Sequence, residues 1–291
     1  MRVRLRRRPP RVAAATCLVA FAVGWLAGCT GRAASDPSGR SQPTFGRDGA
    51  TVRVLQMNLC DSGRAECYTG GRAVGMAAAV IHEHRPEMVS LNEVCRNDVR
   101  VLEQAMSAVS PATRVASAFA SAKDPQTRAP VRCRNGQEYG DAVLVALPRQ
   151  DVASRSHSGV YPVQDPRDLE ERVWVCLHLP ARFTACTTHT SSTDATAALS
   201  QCRYLLTSAL PTLSRRDALG PIVLGADLNL SAGGSPGPDS CLPTGYQRTD
   251  DAGRQDVVVS PGVAIRARAV IDMQGTTDHP GLLVDVVVPR D

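Results

Sequence analysis

Eight side chains of this 291-residue chain stand where apolar runs begin or end: Asn58, Glu93, His189, Asp227, Asn229, Asp256, Asp278 and His279. A buried strand has little use for such residues, whereas loops at strand ends are where sites are assembled. Carboxylates and amide oxygens are hard donors suited to a divalent cation that keeps part of its water shell. An imidazole with a carboxylate behind it moves protons near neutral pH. Each residue also has a structural explanation. Asn58 could shape a turn, Glu93 could pair with an arginine, and His189 could be a satisfied core histidine. Asp227 and Asn229 could form Asx turns in a loop rich in Gly and Ser. Their number and their order along the chain weigh toward a site.

The elements around these positions must hold them. Runs rich in Val, Leu and Ile read as strands over Thr51–Leu59, Glu87–Leu91, Asp141–Leu147, Val173–Leu179, Phe183–His189, Pro221–Gly225, Asp256–Ser260 and Gly281–Val288. Helical patterns cover Arg72–His84, Asn97–Val109 and Asp194–Leu210, stopped by Pro86, Pro111 and Pro211. Ser191, Ser192 and Thr193 are good capping residues ahead of the third helix. Strands outnumber helices and the two are interspersed, as in an α+β or layered α/β domain with mixed sheets. The segments from Ser121 to Glu138 and from Ser231 to Asp251 are long and turn-rich, so each is expected to be functional or tied by a disulfide.

The formal charge of +5 conceals a division. Six arginines lie within the first eleven residues; without residues 1–28 the chain has 27 basic and 28 acidic groups, a net charge of −1. A near-neutral domain lacks the bulk electrostatic footprint of a nucleic-acid-binding protein, although a local basic groove stays open. A chain with 43% hydrophobic residues can bury a core, which excludes disorder for most of its length. The cationic stretch Met1 to Arg11, followed by the apolar run Val12 to Gly28, has the layout of a secretory signal. Leu26-Ala27-Gly28-Cys29 resembles the lipobox of bacterial lipoproteins, cleaved before a cysteine that receives a diacylglyceryl group. It implies lipidation at Cys29 and a place on the outer face of the bacterial cytoplasmic membrane, or secretion. An uncleaved anchor is the alternative, and the run falls short of the roughly 20 residues that span a bilayer. Residues 29–50 then read as a flexible tether and residues 51–291 as one folded domain.

Setting aside Cys17 and Cys29 leaves eight cysteines, an even number in a chain bound for an oxidising compartment. Cys176 and Cys186 flank Pro180-Ala181-Arg182 symmetrically and are expected to face each other across a hairpin. Cys60 and Cys67 would close a short loop. Spacing leaves the connectivity of the remaining four open, with Cys95–Cys133 and Cys202–Cys241 as one arrangement. No Cys-x-x-Cys pair occurs, which argues against zinc.

Seven segments then combine. They are Val54-Leu55-Gln56-Met57-Asn58, Pro86-Glu87-Met88-Val89-Ser90-Leu91-Asn92-Glu93-Val94, Tyr139-Gly140-Asp141-Ala142-Val143-Leu144, Thr187-Thr188-His189-Thr190, Leu224-Gly225-Ala226-Asp227-Leu228-Asn229, Asp256-Val257-Val258-Val259-Ser260 and Thr277-Asp278-His279. Their set and spacing, over about Val52 to Val288, resemble the endonuclease/exonuclease/phosphatase superfamily. These metal-dependent phosphoesterases include DNase I-like nucleases, apurinic endonucleases, sphingomyelinases and inositol-phosphate phosphatases. The resemblance implies a four-layer α/β/β/α sandwich, two mixed sheets face to face with helices outside. Departures are small: Asn92-Glu93 stands for the usual Gln-Glu, Gly225-Ala226-Asp227-Leu228-Asn229 for Gly-Asp-Phe-Asn, and Thr277 for the usual Ser.

A phosphodiester is a poor electrophile with charged oxygens, so its hydrolysis needs a cation, an activated water and donors for developing charge. By resemblance, Glu93 is the main ligand of Mg²⁺ (or Mn²⁺ or Ca²⁺), with Asn58 and Asp278 contributing directly or through water. His279 is the general base or orients the phosphate, and Asp256 holds its ring. His189 donates to a phosphoryl oxygen or protonates the leaving oxygen, supported by Glu138. Asp227 and Asn229 position the water and the phosphate, with either Asp227 or His279 taking the proton.

The implied substrate is a phosphate ester: nucleic acid, or a smaller phosphodiester or phospholipid. A nuclease or general phosphodiesterase ranks first, with Arg128, Arg132, Arg134 and Arg182 as candidates for a local patch. A phosphomonoesterase or sphingomyelinase-like lipid phosphodiesterase ranks second, although no Trp- or Phe-rich hairpin is visible. The non-enzyme alternative is an envelope lipoprotein that binds a phosphorylated ligand, which has no need of both His189 and His279. No protein partner is implied, and a monomer is expected.

Overall fold

The structure, a computed structural model, describes residues 49–150 and 154–290. The signal segment, Cys29 and residues 29–48 of the tether lie outside the described residues; Gly49 and Ala50, expected to end the tether, already belong to the first strand. The elements follow in the order β1 (Gly49–Asn58), α1 (Arg72–His84), β2 (Met88–Cys95), α2 (Arg96–Val109), β3 (Thr113–Ser121), β4 (Tyr139–Pro148), β5 (Arg155–Val160), β6 (Val173–Leu179), β7 (Phe183–His189), α3 (Ala195–Tyr204), α4 (Leu210–Asp217), β8 (Ile222–Asp227), β9 (Gln247–Asp250), β10 (Gln255–Val259), β11 (Ala264–Ile271) and β12 (Gly281–Pro289).

Among the described residues the strands form two six-stranded mixed sheets, ordered β11-β12-β1-β2-β4-β3 and β5-β6-β7-β8-β10-β9. Each contains one parallel pair, β1 with β2 and β7 with β8, whose crossover runs through helix: α1 in the first sheet, α3 and α4 in the second. Alternation gives every strand two faces. Val52, Val54, Val143, Val175, Val257 and Val284 pack between the sheets. Leu55 and Leu91 face the opposite way, against Ile81 of α1 and Leu102 of α2. Leu224 and Val258 do the same in the second sheet, against Leu205 and Leu213. The result is the expected α/β/β/α layering, and burying each such side chain contributes about 1.5–3 kcal/mol.

Four strands have no counterpart among the apolar runs of the sequence: β3, β5, β9 and β11. They are the four outer strands of the two sheets. An edge strand packs on one side only, and charged or small residues there discourage pairing with other chains. Arg155-Ser156-His157-Ser158 in β5 and Arg266-Ala267-Arg268 in β11 therefore carry no apolar signature.

The third helix does not stop before Pro211. A π-helical turn at Leu205–Ala209 joins α3 to α4, and Pro211 falls in the first turn of α4, where its missing N–H removes no needed donor. Asp194 itself is the N-cap, its Oδ1 accepting from the N–H of Thr196 (2.8 Å) and Ala197 (3.1 Å).

Four disulfides join Cys60 to Cys67, Cys95 to Cys133, Cys176 to Cys186 and Cys202 to Cys241. Cys176 and Cys186 are direct partners across the β6–β7 hairpin, with Cα atoms 4.0 Å apart. The two long turn-rich segments are each pinned by one bridge, through Cys133 and Cys241. No helix among the described residues is long and apolar enough to cross a membrane.

Candidate active site

Along β1 the side chains facing the second sheet are Val52, Val54, Gln56 and Asn58, apolar first and then polar. The same change occurs along β7, from Ala185 to Thr187, and along β8, from Val223 to Asp227. The sandwich is apolar at one end and hydrogen-bonding at the other. Parallel pairing aligns the polar ends, setting Asn58 opposite Asn92 and His189 opposite Asp227.

Alternation alone gives the inward position on β2 to Asn92, leaving its neighbour Glu93 on the wrong face. A register shift between Leu91 and Val94 and a left-handed backbone at Glu93 (φ 55°) turn the carboxylate toward the cleft. A non-glycine residue held there is strained by about 1–3 kcal/mol, a conformation that persists where the surroundings fix it. Asn58 supplies part of that constraint. Its Nδ2 donates to Glu93 Oε1 (2.9 Å) and to Asp227 Oδ2 (3.1 Å), while its Oδ1 accepts from the Cys60 N–H (3.0 Å). Burial raises the pKa of Glu93; the Asn58 hydrogen bond and Arg172 oppose this, and Asp227 and Asp278 raise it further.

Asp227 is fully enclosed, and its Oδ2 is the meeting point of the site. That oxygen accepts from Gln255 Nε2 (2.9 Å) and Asn58, and lies 3.3 Å from His279 Nε2 and 4.0 Å from His189 Nε2. Burial raises its pKa, against His279 and its hydrogen-bond donors. His279 Nδ1 contacts Asp278 Oδ1 at 2.9 Å. Asn229 has a left-handed backbone too (φ 50°); its side chain donates to the Thr190 carbonyl (2.9 Å) and accepts from Arg254 (2.8 Å). His189 is buried, with Nδ1 2.9 Å from Arg172 Nη1 and 3.9 Å from Glu93 Oε1. Desolvation first, and then Arg172, push its pKa well below the usual histidine value, so it is neutral.

Two expected partnerships are not formed. Asp256 does not hold His279: it lies on the other face of β10, where its Oδ1 accepts from Arg248 (2.8 Å) and Val258 joins the helix-side core. A one-residue change of parity moves a side chain from one face to the other, and the inward residue is Gln255. Glu138 does not support His189 either; its Oε2 accepts from Arg96 Nη2 (2.7 Å) and Ser121 Oγ (2.6 Å). Gln255, Gln56 and Arg172 were absent from the expected set. Gln56 Nε2 donates to Asn92 Oδ1 (2.6 Å) and Gln255 Oε1 (2.8 Å), and Asn92 Nδ2 to Asp141 Oδ1 (2.9 Å). These amides link Asp141 to Asp227 across both sheets. Only the alternation of β1 and β10 could have pointed to Gln56 and Gln255.

The carboxylates of Glu93 and Asp278 are hard oxygen donors, and the pKa of Glu93 is raised by burial first and then by the nearby Asp227 and Asp278. That donor set fits a divalent cation such as Mg²⁺. Asn58, whose oxygen accepts from the Cys60 N–H, contacts Glu93 and Asp227 through its N–H groups. A cavity of about 700 Å³ leads away from Glu93, His189 and Arg172 past Arg64, Arg132 and Arg167. Arg167 is paired with Asp165 and Asp194, and Arg172 with Asp168 and Glu170. Tyr68 is the one aromatic side chain exposed among the described residues.

No family model and no curated protein matches the sequence. Solved structures do match. An endonuclease/exonuclease/phosphatase family protein from Bacteroides thetaiotaomicron aligns with a TM-score of 0.59 at 14% identity, over 83% of this chain and 96% of its own. A mannosyl-6-phosphatase of the same species gives 0.56 at 14% identity, over 81% and 99%. TDP2 from Caenorhabditis elegans gives 0.55 at 12% identity, over 83% and 75%. At these identities the likeness establishes the fold.

Proposed function

We propose that this chain, which has the fold of the endonuclease/exonuclease/phosphatase proteins, is a divalent-metal-dependent hydrolase of phosphate esters. The observation that carries this reading is the convergence of Asn58, His189, Gln255 and His279 on Oδ2 of one enclosed carboxylate, Asp227, beside Glu93. Glu93 and Asp278 would hold the cation, which when bound polarises the phosphate and offsets its charge. Asp227 and His279 form the pair that takes the proton of the attacking water. His189, neutral, acts as a hydrogen-bond donor to a phosphoryl oxygen; protonating the leaving oxygen would need the imidazolium that Arg172 disfavours. Asp278 orients the ring of His279, the part that the sequence assigned to Asp256.

Two substrate classes remain in view, and the engagement of two of the arginines beside the cavity, Arg167 and Arg172, by carboxylates favours a compact phosphoester over a long polyanion. An exported protein held at a membrane by Cys29 agrees with the signal-like N-terminus and the four disulfides.

The test is hydrolysis of supercoiled plasmid, bis(p-nitrophenyl) phosphate and p-nitrophenyl phosphate by the disulfide-bonded protein, in Mg²⁺ and in EDTA, beside His279→Ala. Turnover of any of them that both EDTA and the substitution remove supports the reading, and the substrate hydrolysed assigns the class. Turnover indifferent to EDTA sinks the metal dependence, and no turnover of any ester sinks the whole reading and favours a binding protein.

A further inference from the structure

The segment Asp165-Pro166-Arg167-Asp168-Leu169-Glu170-Glu171-Arg172 has the composition of a solvated charged loop, and Leu169 is indeed 89% exposed. Asp165, Glu171 and Arg172 depart from that pattern, and Arg172 is 5% exposed. Its backbone is clasped on both sides by Gln164, which accepts from the Arg172 N–H (2.8 Å) and donates to its carbonyl (3.0 Å). Its guanidinium donates to Asp168 Oδ2 through Nε (2.7 Å), meets Glu170 Oε1 through Nη1 (2.8 Å) and reaches Ser192 Oγ through Nη2 (3.3 Å). The two carboxylates compensate a cation that burial would otherwise penalise heavily.

The remaining contact is with His189, whose Nδ1 lies 2.9 Å from Nη1. A guanidinium has donors and no acceptor. At that distance Nδ1 must therefore present its lone pair, and the single proton of the neutral ring sits on Nε2, the nitrogen on the Asp227 side. A carboxylate behind the ring would do the reverse, taking the Nδ1 proton and leaving Nε2 as a base.

We propose that Arg172 is a positioning residue that fixes His189 in the Nε2–H tautomer, making it a hydrogen-bond donor to the substrate phosphoryl group and withholding it from service as a base. The inference rests on the reading of the cleft as a phosphoesterase site, but the tautomer itself is measurable without turnover.

The decisive measurement is long-range ¹H–¹⁵N correlation on histidine-labelled protein, with His189→Gln assigning the resonance. Wild-type protein is expected to show an unprotonated Nδ1 and a protonated Nε2 at His189. In Arg172→Met the preference should be lost, and kcat should fall about 10²–10³-fold, the usual effect of losing one preorganised donor, with KM changing much less. Arg172→Lys, which keeps a donor, should recover part of both. A proton on Nδ1 in the wild type overturns the proposal, and that readout needs no variant to fold. So does an Arg172→Lys or Arg172→Met protein that is folded yet keeps the wild-type tautomer and rate. A wild-type rate in His189→Gln would instead sink the reading of the site, whatever the tautomer.

Discussion

His279 Nε2 lies 3.3 Å from Asp227 Oδ2, while Asp256, on the strand beside Asp227, turns away and binds Arg248 at 2.8 Å. Two carboxylates of neighbouring strands therefore belong to different layers, one to the cleft and one to the helix side. Asp256→Asn should leave kcat unchanged and lower stability by about 1–3 kcal/mol through the weakened Arg248 contact. Gln255→Leu should do the opposite in kind, lowering kcat roughly 10–100-fold as Asp227 loses a charge-assisted donor. Denaturant unfolding and initial rates on the same preparations separate the two.

Glu93→Gln should abolish metal-dependent turnover. It should also remove the rise in Tm that Mg²⁺ is expected to give the wild type, since a ligand that binds only the folded state stabilises it by mass action. A Mg²⁺-induced shift of equal size in the variant would move the metal site elsewhere.

Cys60 carries the N–H that orients Asn58, and its disulfide to Cys67 closes the loop that follows β1. The double variant Cys60→Ser, Cys67→Ser should lose about 2–3 kcal/mol of stability by the loop-closure argument. It should also lose activity at temperatures where it is still folded, because Asn58 would no longer be held against Glu93 and Asp227. Activity equal to the wild type below the unfolding transition would show that the loop is structural only.

Asp141 is buried, and desolvation lifts its pKa to about 8, with Asn92 opposing. The folded state thus binds a proton between the ordinary carboxylate range, near pH 4, and pH 8 that the unfolded chain has released. The stabilisation this provides is complete below about pH 4 and is lost as pH rises through 8. Asp141→Asn keeps the acceptor for Asn92 and removes the titration. Its stability should therefore fall less than that of the wild type between pH 5 and pH 9 in urea unfolding. Parallel pH profiles for the two proteins would contradict the assignment.

The sequence announced most of what the two sheets share. Central strands are buried on both faces, so their apolar runs are continuous, and β6 and β7 were legible residue for residue. The outer strands could not be read because β5, β9 and β11 are exposed or half-buried along most of their length and β3 fills its buried positions mainly with alanine, so none carries a run of bulky apolar residues. Pro211 misled for a different reason: its rule holds for helix interiors, and the π-turn before it makes the position a new helix start. At the site, residue types at strand ends were informative and partnerships were not. Asp256 and Gln255 are adjacent, and only the inward faces of Val257 and Val259 show which of them enters the cleft. Arg172 was hidden by its neighbours, since a run of alternating charges reads as solvent-exposed until the fold buries some of its members, here Asp165, Glu171 and Arg172.

Gly49 and Asn58 are the two ends of a single ten-residue strand, which separates them by about 30 Å. The cleft opens at the pole where β1 finishes, and Gly49 lies at the opposite pole. A label attached at Gly49 would therefore leave the mouth of the cleft free.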